Sequence, residues 1–196
     1  MGTCKQLLPL EGTTVIVRCL ETLLKGGIDD VVAVVGPHGD TVAEAVQGYP
    51  VTVARTVDPN GDMAASVRAG RDALPPGISG VVIALCDHPL VAPETVALLA
   101  ACHGDGAHRI IIPAHNRGKG HPTLFPRSVL DELEGTLTLR DVVRSDPGRV
   151  HLLEVTDPGV LLDMDTPVEY QRISALCRAG SFSGSAPPGS SRVPSA

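Results

Sequence analysis

Two segments of the sequence place carboxylates directly after apolar runs of strand length. The first is VVIALCDHP, in which Asp87 follows the run that begins at Val81 and Pro89 fixes the exit of the chain. Ligands of open α/β sheets collect at the carboxyl ends of the strands. A single carboxylate there suits Mg²⁺, which takes only one or two protein carboxylates besides substrate phosphates. An N-cap role for Asp87, at the helix that opens near Pro93, explains the residue equally well.

The second acidic segment is LLDMDTP, in which Asp163 and Asp165 end a predicted apolar strand. Side chains two residues apart on a strand leave on the same face, about 6 to 7 Å from each other. The two carboxylates therefore repel each other unless a cation or a hydrogen-bond donor lies between them. Asp165 has a structural alternative as N-cap of the helix led by Thr166 and Pro167. The two roles are compatible if each falls to one carboxylate.

A polar loop, NRGKGHP at residues 116–122, combines two glycines with two cations. This composition suits a backbone that approaches an anionic ligand while the cations neutralise it. The nearby histidines and Cys86 match none of the usual spacings of zinc ligands, so we do not predict a zinc site. Ser66 lacks both a visible base and the G-x-S-x-G elbow of a nucleophile, and is expected to be a hydroxyl on a helix face.

The composition excludes several classes of partner. The 196 residues carry a formal charge of −6 with scattered Lys and Arg, and 2% aromatic residues without Trp. Neither nucleic acid nor an anionic membrane surface is therefore predicted as a partner.

The sequence contains no apolar run near the ~20 residues of a bilayer span and no signal peptide at its start. Five separate cysteines fit reduced thiols, and we predict a cytoplasmic location.

Apolar runs alternate with helical patterns, which predicts an α/β fold with a mainly parallel sheet and helices on both faces. The predicted strands are VVAVVG, a weaker VTVA, VVIALCD and RIIIPA, followed by TLF, RVHLLEV and GVLLDMD. The predicted helices cover residues 15–25, 41–47, 63–74, 93–102, 128–133 and 139–143, with a last one from residue 167. We predict one domain over residues 1–178 and a disordered Ser/Gly/Pro-rich tail over residues 179–196.

Five motifs, in this order, resemble the MobA-like NTP transferase family, in its molybdenum cofactor cytidylyltransferase branch. They are MGTCKQLLPL, DMAASVRAG, CDHPLV, GKGHPTLF and DPGVLLDMDTPVEY, and together they cover nearly the whole chain up to about residue 177. The resemblance implies a Rossmann-like nucleotidyltransferase. Such an enzyme transfers CMP from CTP to molybdopterin-molybdenum, releases pyrophosphate and uses Mg²⁺.

The resemblance also implies roles for single residues. Lys5 matches the lysine that steadies the triphosphate, and Asp87 matches the aspartate that holds Mg²⁺, so both are predicted to be catalytic. Asp165, with Asp163 nearby, matches the late acidic site that completes the metal shell. The segment with Met63 and Ser66 is similar to the part that lines the nucleotide pocket, with Lys5 beside it. Gly120, His121 and Pro122 resemble a loop on the substrate side.

The chain departs from the family pattern at three places. The family has a buried first strand and a glycine-rich turn ending in Arg-Met-Gly before the lysine, and this sequence starts at that Met-Gly, so the first strand is predicted to be missing by N-terminal truncation. Each apolar core side chain of such a strand contributes about 1.5 to 3 kcal/mol to folding stability. A typical domain has a net stability of about 5 to 15 kcal/mol, so loss of the strand is expected to destabilise the domain. Cys86 and Asp62 stand where the family usually has Gly.

Three hypotheses about function follow. The first is the cytidylyltransferase described above. The second is a non-catalytic relative that binds a nucleotide or a molybdenum-enzyme subunit without turnover. The third keeps the chemistry but uses GTP or another phosphorylated acceptor, because base choice depends largely on the glycine-rich turn.

Overall fold

The computed structural model describes residues 4–56, 62–104, 108–135 and 137–180. The strands within these ranges are β1 (Pro9–Leu10), β2 (Thr13–Thr14), β3 (Val31–Val35), β4 (Val51–Arg55), β5 (Gly80–Ile83), β6 (Ile110–His115), β7 (Gly118–Lys119), β8 (Thr123–Pro126) and β9 (Val150–Glu154). The α-helices are α1 (Val15–Lys25), α2 (Asp40–Ala45), α3 (Met63–Asp72), α4 (Pro93–Gly104), α5 (Arg127–Leu130), α6 (Leu139–Ser145) and α7 (Pro167–Arg178). Strand and helix alternate from α1 to β6, which confirms the predicted α/β class.

The described strands form three sheets rather than one mainly parallel sheet: the antiparallel pair β1 and β2, the pair β3 and β4, and a mixed five-stranded sheet of β5 to β9. β3 pairs in parallel with β4, and β6 pairs in parallel with β9. β8, however, lies between β5 and β6 and runs antiparallel to both. The connection from β6 to β8 is residues 116–122, which is too short for the dozen or more residues that a parallel crossover needs. The chain therefore turns back through the short strand β7, which pairs antiparallel with β6.

Helices cover both faces of the sheet around β5, β6 and β8. Ile110 and Phe125 pack in an apolar cluster with residues of α3, α5 and α6. Ile111 and Leu124, each one residue away along its strand, pack in a second cluster around Leu99 of α4. Neighbouring side chains of a strand point to opposite faces, so the predicted two-sided covering of the sheet is observed here.

Helix α1 connects two further apolar clusters. At its start, Val15 is fully buried and packs in a cluster with Met164, next to the late acidic segment. One and a half turns later, Leu20 packs with Val31 at the start of β3. Complete burial of such a side chain contributes about 1.5 to 3 kcal/mol. The helix thereby holds β3 and the segment before α7 in a fixed relation.

The segment GVLLDMD is not a strand, contrary to the prediction. Residues Pro158–Leu161 form a 3-10 turn. The side chain of Asp157 accepts a hydrogen bond from the Gly159 N–H at 2.8 Å, and Pro158 occupies the first turn position. An apolar run of this length does not by itself distinguish a strand from a buried turn, and here the Asp-Pro-Gly start favours the turn.

The structure describes the C-terminal end of the predicted domain but not most of the predicted tail. Helix α7 ends at Arg178, near the predicted domain boundary. The predicted tail lies outside the described residues from position 181 onward. Among the helices that the structure describes, none combines the length and apolarity needed to cross a membrane.

Candidate active site

Lys5 brings two distant carboxylates together. Its Nζ lies 3.1 Å from Asp87 Oδ2 and 2.9 Å from Asp165 Oδ1. Lys5 belongs to the 3-10 turn Lys5–Leu7, Asp87 lies just beyond β5, and Asp165 lies just before α7. Three separate segments therefore meet at one ammonium group. Asp163 is exposed and is not one of the carboxylates that Lys5 contacts.

The electrostatics of this cluster favour the charged forms of Lys5 and Asp165. Partial burial lowers the pKa of Lys5, but the hydrogen bonds from its ammonium group to Asp165 and Asp87 outweigh burial, so its pKa is raised. The hydrogen bond from Lys5 lowers the pKa of Asp165. The Asp87 side chain is 21% exposed and that of Asp165 is 63% exposed. Asp87 is thus the more enclosed of the two carboxylates, and Asp165 is the one nearer to solvent.

Other residues fill the structural roles that Asp87 and Asp165 had as alternatives. Asp157, not Asp87, accepts a hydrogen bond from the Ala92 N–H at the start of α4, at 2.8 Å. The N-cap of α7 is Thr166, which forms a reciprocal capping box with Glu169. The side chains of Asp87 and Asp165 are therefore left to the cluster around Lys5.

Replacing Asp157 by Ala is expected to destabilise the fold by about 1 to 3 kcal/mol. The carboxylate accepts hydrogen bonds from the N–H groups of Ala92 and Gly159 and from the hydroxyl of Thr95, each at 2.8 Å. Thr95 is buried, so its hydroxyl would be left without an acceptor and without water. The free energy of unfolding in urea measures the effect. The matched change Asp163→Ala, at an exposed carboxylate, should cost less than about 0.5 kcal/mol; equal destabilisation in both variants would contradict this role of Asp157.

Three buried polar atoms around Asp87 have no hydrogen-bond partner within the described parts of the chain. They are Asp87 Oδ1, His88 Nδ1 and His121 Nδ1. The rings of His88 and His121 lie 5.1 Å apart between centroids, and His88 Nε2 is 3.9 Å from Asp87 Oδ1. Buried polar atoms are nearly always satisfied in native proteins, so this pocket is suited to a bound cation, water or polar ligand. Burial, helped by the nearby His88, lowers the pKa of His121.

A divalent ion at this site would depend on ligands from its substrate. In the part of the chain that the structure describes, no group of three or more His, Cys, Asp or Glu side chains is arranged to hold a metal. Asp87 and Asp165 supply two carboxylates, and the unsatisfied Oδ1 of Asp87 is a free hard-oxygen donor. Two carboxylates with waters and phosphate oxygens form the typical coordination of Mg²⁺, so the residues fit this ion together with a nucleotide.

The loop predicted to lie on the substrate side is split by the structure. Its cations Arg117 and Lys119 are exposed and belong to the β6–β7 hairpin. Gly120 is buried, and any side chain at this position would collide with the carbonyl group of Val160. The His121 N–H donates to that same carbonyl oxygen at 3.0 Å. This close backbone contact positions the His121 ring beside His88 and Asp87.

Met63 and Ser66, predicted to bind nucleotide, lie on the first turn of α3 and line a large cavity together with Gly36 and Cys86. Neither residue contacts Lys5 through a hydrogen bond in the described structure. Asp62, the carboxylate that departs from the family pattern, caps α3 by accepting from the Ala65 N–H at 2.8 Å. Its side chain is therefore engaged with its own helix.

Sequence reasoning missed two neighbours of Asp87. Cys19 on α1 directs its thiol toward the carbonyl oxygen of Cys86, at 3.7 Å, and its hydrogen bond with Cys86, together with burial, raises the pKa of Cys19. Arg18 Nε donates to the carbonyl oxygen of Pro89 at 2.9 Å. These contacts anchor the Asp87 segment to α1. The isolated positions of these residues in the sequence give no signal of the pairing.

The fold and the site together define a class of protein: an α/β nucleotidyltransferase, with charged side chains gathered beyond the carboxyl ends of its strands. The chain belongs to the MobA-like NTP transferase family, whose domain model matches residues 1–151. The family and the nucleotidyltransferase fold predicted from the sequence are thereby confirmed.

Solved structures agree with this assignment. Rv0371c from Mycobacterium tuberculosis H37Rv is 31% identical, with a TM-score of 0.76, and the match covers 89% of this chain and 90% of that one. The same protein has also been solved in complex with manganese. A nucleotidyl transferase from Methanothermobacter thermautotroptrophicus, Mth528, is 29% identical over 89% of this chain and 86% of its own, with a TM-score of 0.77.

Another relative of this chain is named as an oxidoreductase rather than a transferase. Nicotine blue oxidoreductase from Paenarthrobacter nicotinovorans is 28% identical over 180 residues, which cover 86% of this chain and 87% of the relative. Proteins similar to this chain over most of their length thus include both a nucleotidyl transferase and an oxidoreductase. The family supports an enzymatic role, and the choice of reaction depends on the site.

Proposed function

We propose that this protein is a Mg²⁺-dependent nucleotidyltransferase that transfers CMP from CTP to molybdopterin-molybdenum and releases pyrophosphate. The observation that carries the proposal is the meeting of Lys5 with Asp87 and Asp165 from three segments that are far apart in sequence. The motif resemblance supports molybdopterin-molybdenum as the acceptor, and the manganese complex of Rv0371c supports a divalent ion. We place the protein in the cytoplasm and expect its product to pass to a molybdenum-enzyme subunit.

The charges of the cluster explain why a divalent ion is needed. Two carboxylates and one ammonium group leave a net negative site, which repels a triphosphate. When bound, Mg²⁺ reverses that sign and neutralises charge on the phosphate oxygens. In this proposal Asp87 and Asp165 hold the ion, with Asp163 at most an outer contributor because it does not contact Lys5.

Lys5 has two alternative partners in this proposal. Its ammonium group is a compact charge on a flexible stem, and in the described structure it satisfies one oxygen of each carboxylate. Binding of the triphosphate allows the ammonium group to turn to the phosphate oxygens and frees the carboxylates for the ion. Lys5 thus keeps the site paired before substrate arrives and stabilises the charge that develops on pyrophosphate as it leaves.

The transfer itself needs little acid–base chemistry from the protein. The acceptor is a phosphate monoester with a second pKa of about 6, so it is largely ionised at neutral pH. Its oxygen attacks the α-phosphorus, and the bond to pyrophosphate breaks. Catalysis then consists mainly of positioning and charge neutralisation.

The lowered pKa of His121 keeps that ring neutral at neutral pH, which suits it to hydrogen bonding with substrate rather than to ion pairing.

A pyrophosphate-release assay tests the proposal. Purified protein is incubated with CTP or GTP, with and without molybdopterin-molybdenum, and with Mg²⁺, Mn²⁺ or a chelator. We expect release only when CTP, acceptor and divalent ion are all present. Release of pyrophosphate from GTP instead of CTP would support the alternative hypothesis, a transferase that uses GTP. Nucleotide binding without release from any triphosphate would favour the non-catalytic alternative.

The similarity to an oxidoreductase supplies the second candidate function. The same protein preparation is therefore tested for redox turnover of nicotine blue, the compound in the name of that relative. Turnover in this assay together with no release of pyrophosphate would replace the transferase proposal.

A further inference from the structure

Two cysteine side chains meet beside the candidate active site. Cys19 lies on α1, and Cys86 lies 67 residues further along the chain, directly before Asp87. The Cys19 thiol donates to the carbonyl oxygen of Cys86 at 3.7 Å, and the two thiols interact with each other as hydrogen-bond partners. Both are free thiols, and both residues are half-buried. The transfer reaction proposed above uses neither thiol.

Helix α1 is fixed to the segment that follows β5 on both sides of this pair. One residue before Cys19, Arg18 Nε donates to the carbonyl oxygen of Pro89 at 2.9 Å. Three residues after Cys19, the hydroxyl of Thr22 donates to the carbonyl oxygen of Val91 at 3.5 Å. The folded chain therefore holds the two thiols side by side, and a reaction between them has no further loop to close.

The other three cysteines have different surroundings. Cys4 is exposed, and its thiol donates to the side chain of Gln6 at 2.9 Å. Cys102 packs against the apolar cluster around Leu99, and Cys177 packs against the cluster that α1 shares with α7. A thiol in apolar surroundings is usually inert, so these residues are suitable internal controls for the chemistry of the pair.

Two thiols in contact can bind a soft metal ion or form a disulfide. A structural zinc site has four ligands, and in the parts of the chain that the structure describes no group of three or more His, Cys, Asp or Glu side chains is arranged to hold a metal. A disulfide needs only the two sulfur atoms and an oxidant. Such a pair stays reduced in a reducing compartment, where a disulfide is usually transient and serves in redox sensing.

We propose that Cys19 and Cys86 are a reversible oxidation site, at which a hydroperoxide converts the two thiols into a disulfide between α1 and the Asp87 segment. One cysteine sulfur takes the terminal oxygen of the hydroperoxide and becomes a sulfenic acid, while the hydroperoxide is reduced to an alcohol, or to water in the case of hydrogen peroxide. The second sulfur then forms the S–S bond, and the hydroxyl group of the sulfenic acid leaves with the second thiol proton as water. A dithiol reverses the reaction by exchange and is itself oxidised to a disulfide.

The disulfide joins the residue directly before Asp87 to a helix. It replaces the hydrogen bond from the Cys19 thiol, so the carbonyl oxygen of Cys86 loses that donor. It also links positions 67 residues apart, which restricts the unfolded chain and stabilises the folded one. The proposal is independent of the proposed function, because the reaction needs neither nucleotide nor metal.

The test is oxidation of the reduced protein with a small excess of hydrogen peroxide. We expect two of the five thiols to be lost, and dithiothreitol to restore them. Digestion with trypsin under non-reducing conditions should yield the peptide of residues 19–25 linked to that of residues 72–109. The second peptide also contains Cys102, so the variant Cys102→Ala is treated in the same way and should give the same link. The oxidised protein should melt at least about 4 °C above the reduced protein.

The variants Cys19→Ala and Cys86→Ala should form no disulfide within the molecule, whereas the matched control Cys4→Ala should form it as the original protein does. The proposal would be overturned by a link that is absent from Cys102→Ala, by links between molecules only, or by a link that forms only in denaturant. A lower melting temperature after oxidation would also contradict it, because the fold would then oppose the bond. The unmodified protein and Cys102→Ala decide the question even if the other variants fail to fold. None of these measurements depends on turnover, so this proposal and the proposed function can fail separately.

Discussion

Replacing Asp87 by Asn is expected to lower the rate of metal-dependent pyrophosphate release by at least about 100-fold. The change keeps the shape of the side chain but removes the charge, and the amide is a poor ligand beside the remaining Asp165. The fold should persist, because in the described structure Asp87 Oδ2 accepts a hydrogen bond from Lys5 and Asp87 Oδ1 has no hydrogen-bond partner. Initial rates over a range of Mg²⁺ concentrations measure the effect.

The matched control is Glu94→Gln, at an exposed carboxylate in the first turn of α4. It removes the same charge from the neighbouring segment and should leave the rate within about twofold. Both variants should keep the melting temperature of the original protein within a few degrees. Near-normal turnover of Asp87→Asn at every Mg²⁺ concentration would refute the metal-binding role of Asp87.

Replacing Lys5 by Met is expected to change metal binding and turnover in opposite directions. Without the ammonium group, Asp87 and Asp165 no longer share a partner, and a divalent ion is the remaining way to neutralise them. We expect Mn²⁺ to bind about tenfold more tightly in the absence of nucleotide, because a partly exposed competing charge has been removed. Turnover should fall by at least about 100-fold, because no cation from the protein then stabilises the charge on departing pyrophosphate. Titration of Mn²⁺ by paramagnetic resonance and the pyrophosphate assay measure the two effects.

Lys25→Met is the matched control for Lys5→Met. Lys25 is an exposed lysine paired with Glu21 one helical turn away, remote in sequence from the acidic residues of the site. Its replacement should affect neither measurement by more than about twofold. If Lys5→Met left Mn²⁺ binding unchanged, the two carboxylates would not be the metal site, and Lys5 would be a structural ion-pair partner.

Local sequence signals predicted most of the elements, and the exceptions have physical causes. Helix α1 spans Val15–Lys25 as predicted, because a strong apolar period ends at two glycines. The strand TLF was predicted, but its antiparallel direction depends on the length of the connection before it rather than on its own residues. The apolar run GVLLDMD was wrongly predicted as a strand, since hydrogen bonding from Gly159 to Asp157 decides in favour of a turn.

The site shows the same limit of local information. The positions of Asp87 and Asp165 after apolar runs indicated both as candidates, and each also had a structural alternative as a helix N-cap. The N-cap alternative of Asp87 was excluded only by a contact between residues far apart in the chain, Asp157 with Ala92, whereas that of Asp165 was excluded by its neighbour Thr166. Lys5 lies 82 residues from Asp87 and 160 from Asp165, so no spacing rule connects them. The pairing of Cys19 with Cys86 has the same origin.

The contact between Gly120 and Val160 has a mechanical consequence. Because two backbones touch here without an intervening side chain, the loop that bears His121 cannot shift without pushing the segment that leads to Asp165. A ligand that shifts the His121 ring is therefore expected to shift the backbone at Val160 with it. The Lys5 side chain is not held in this way, because its flexible stem can rotate once the ion pairs with Asp87 and Asp165 are broken. The His121 side of the pocket is therefore held in place by a backbone contact, whereas the Lys5 side chain can change rotamer. We expect adjustment to an incoming nucleotide to come from Lys5.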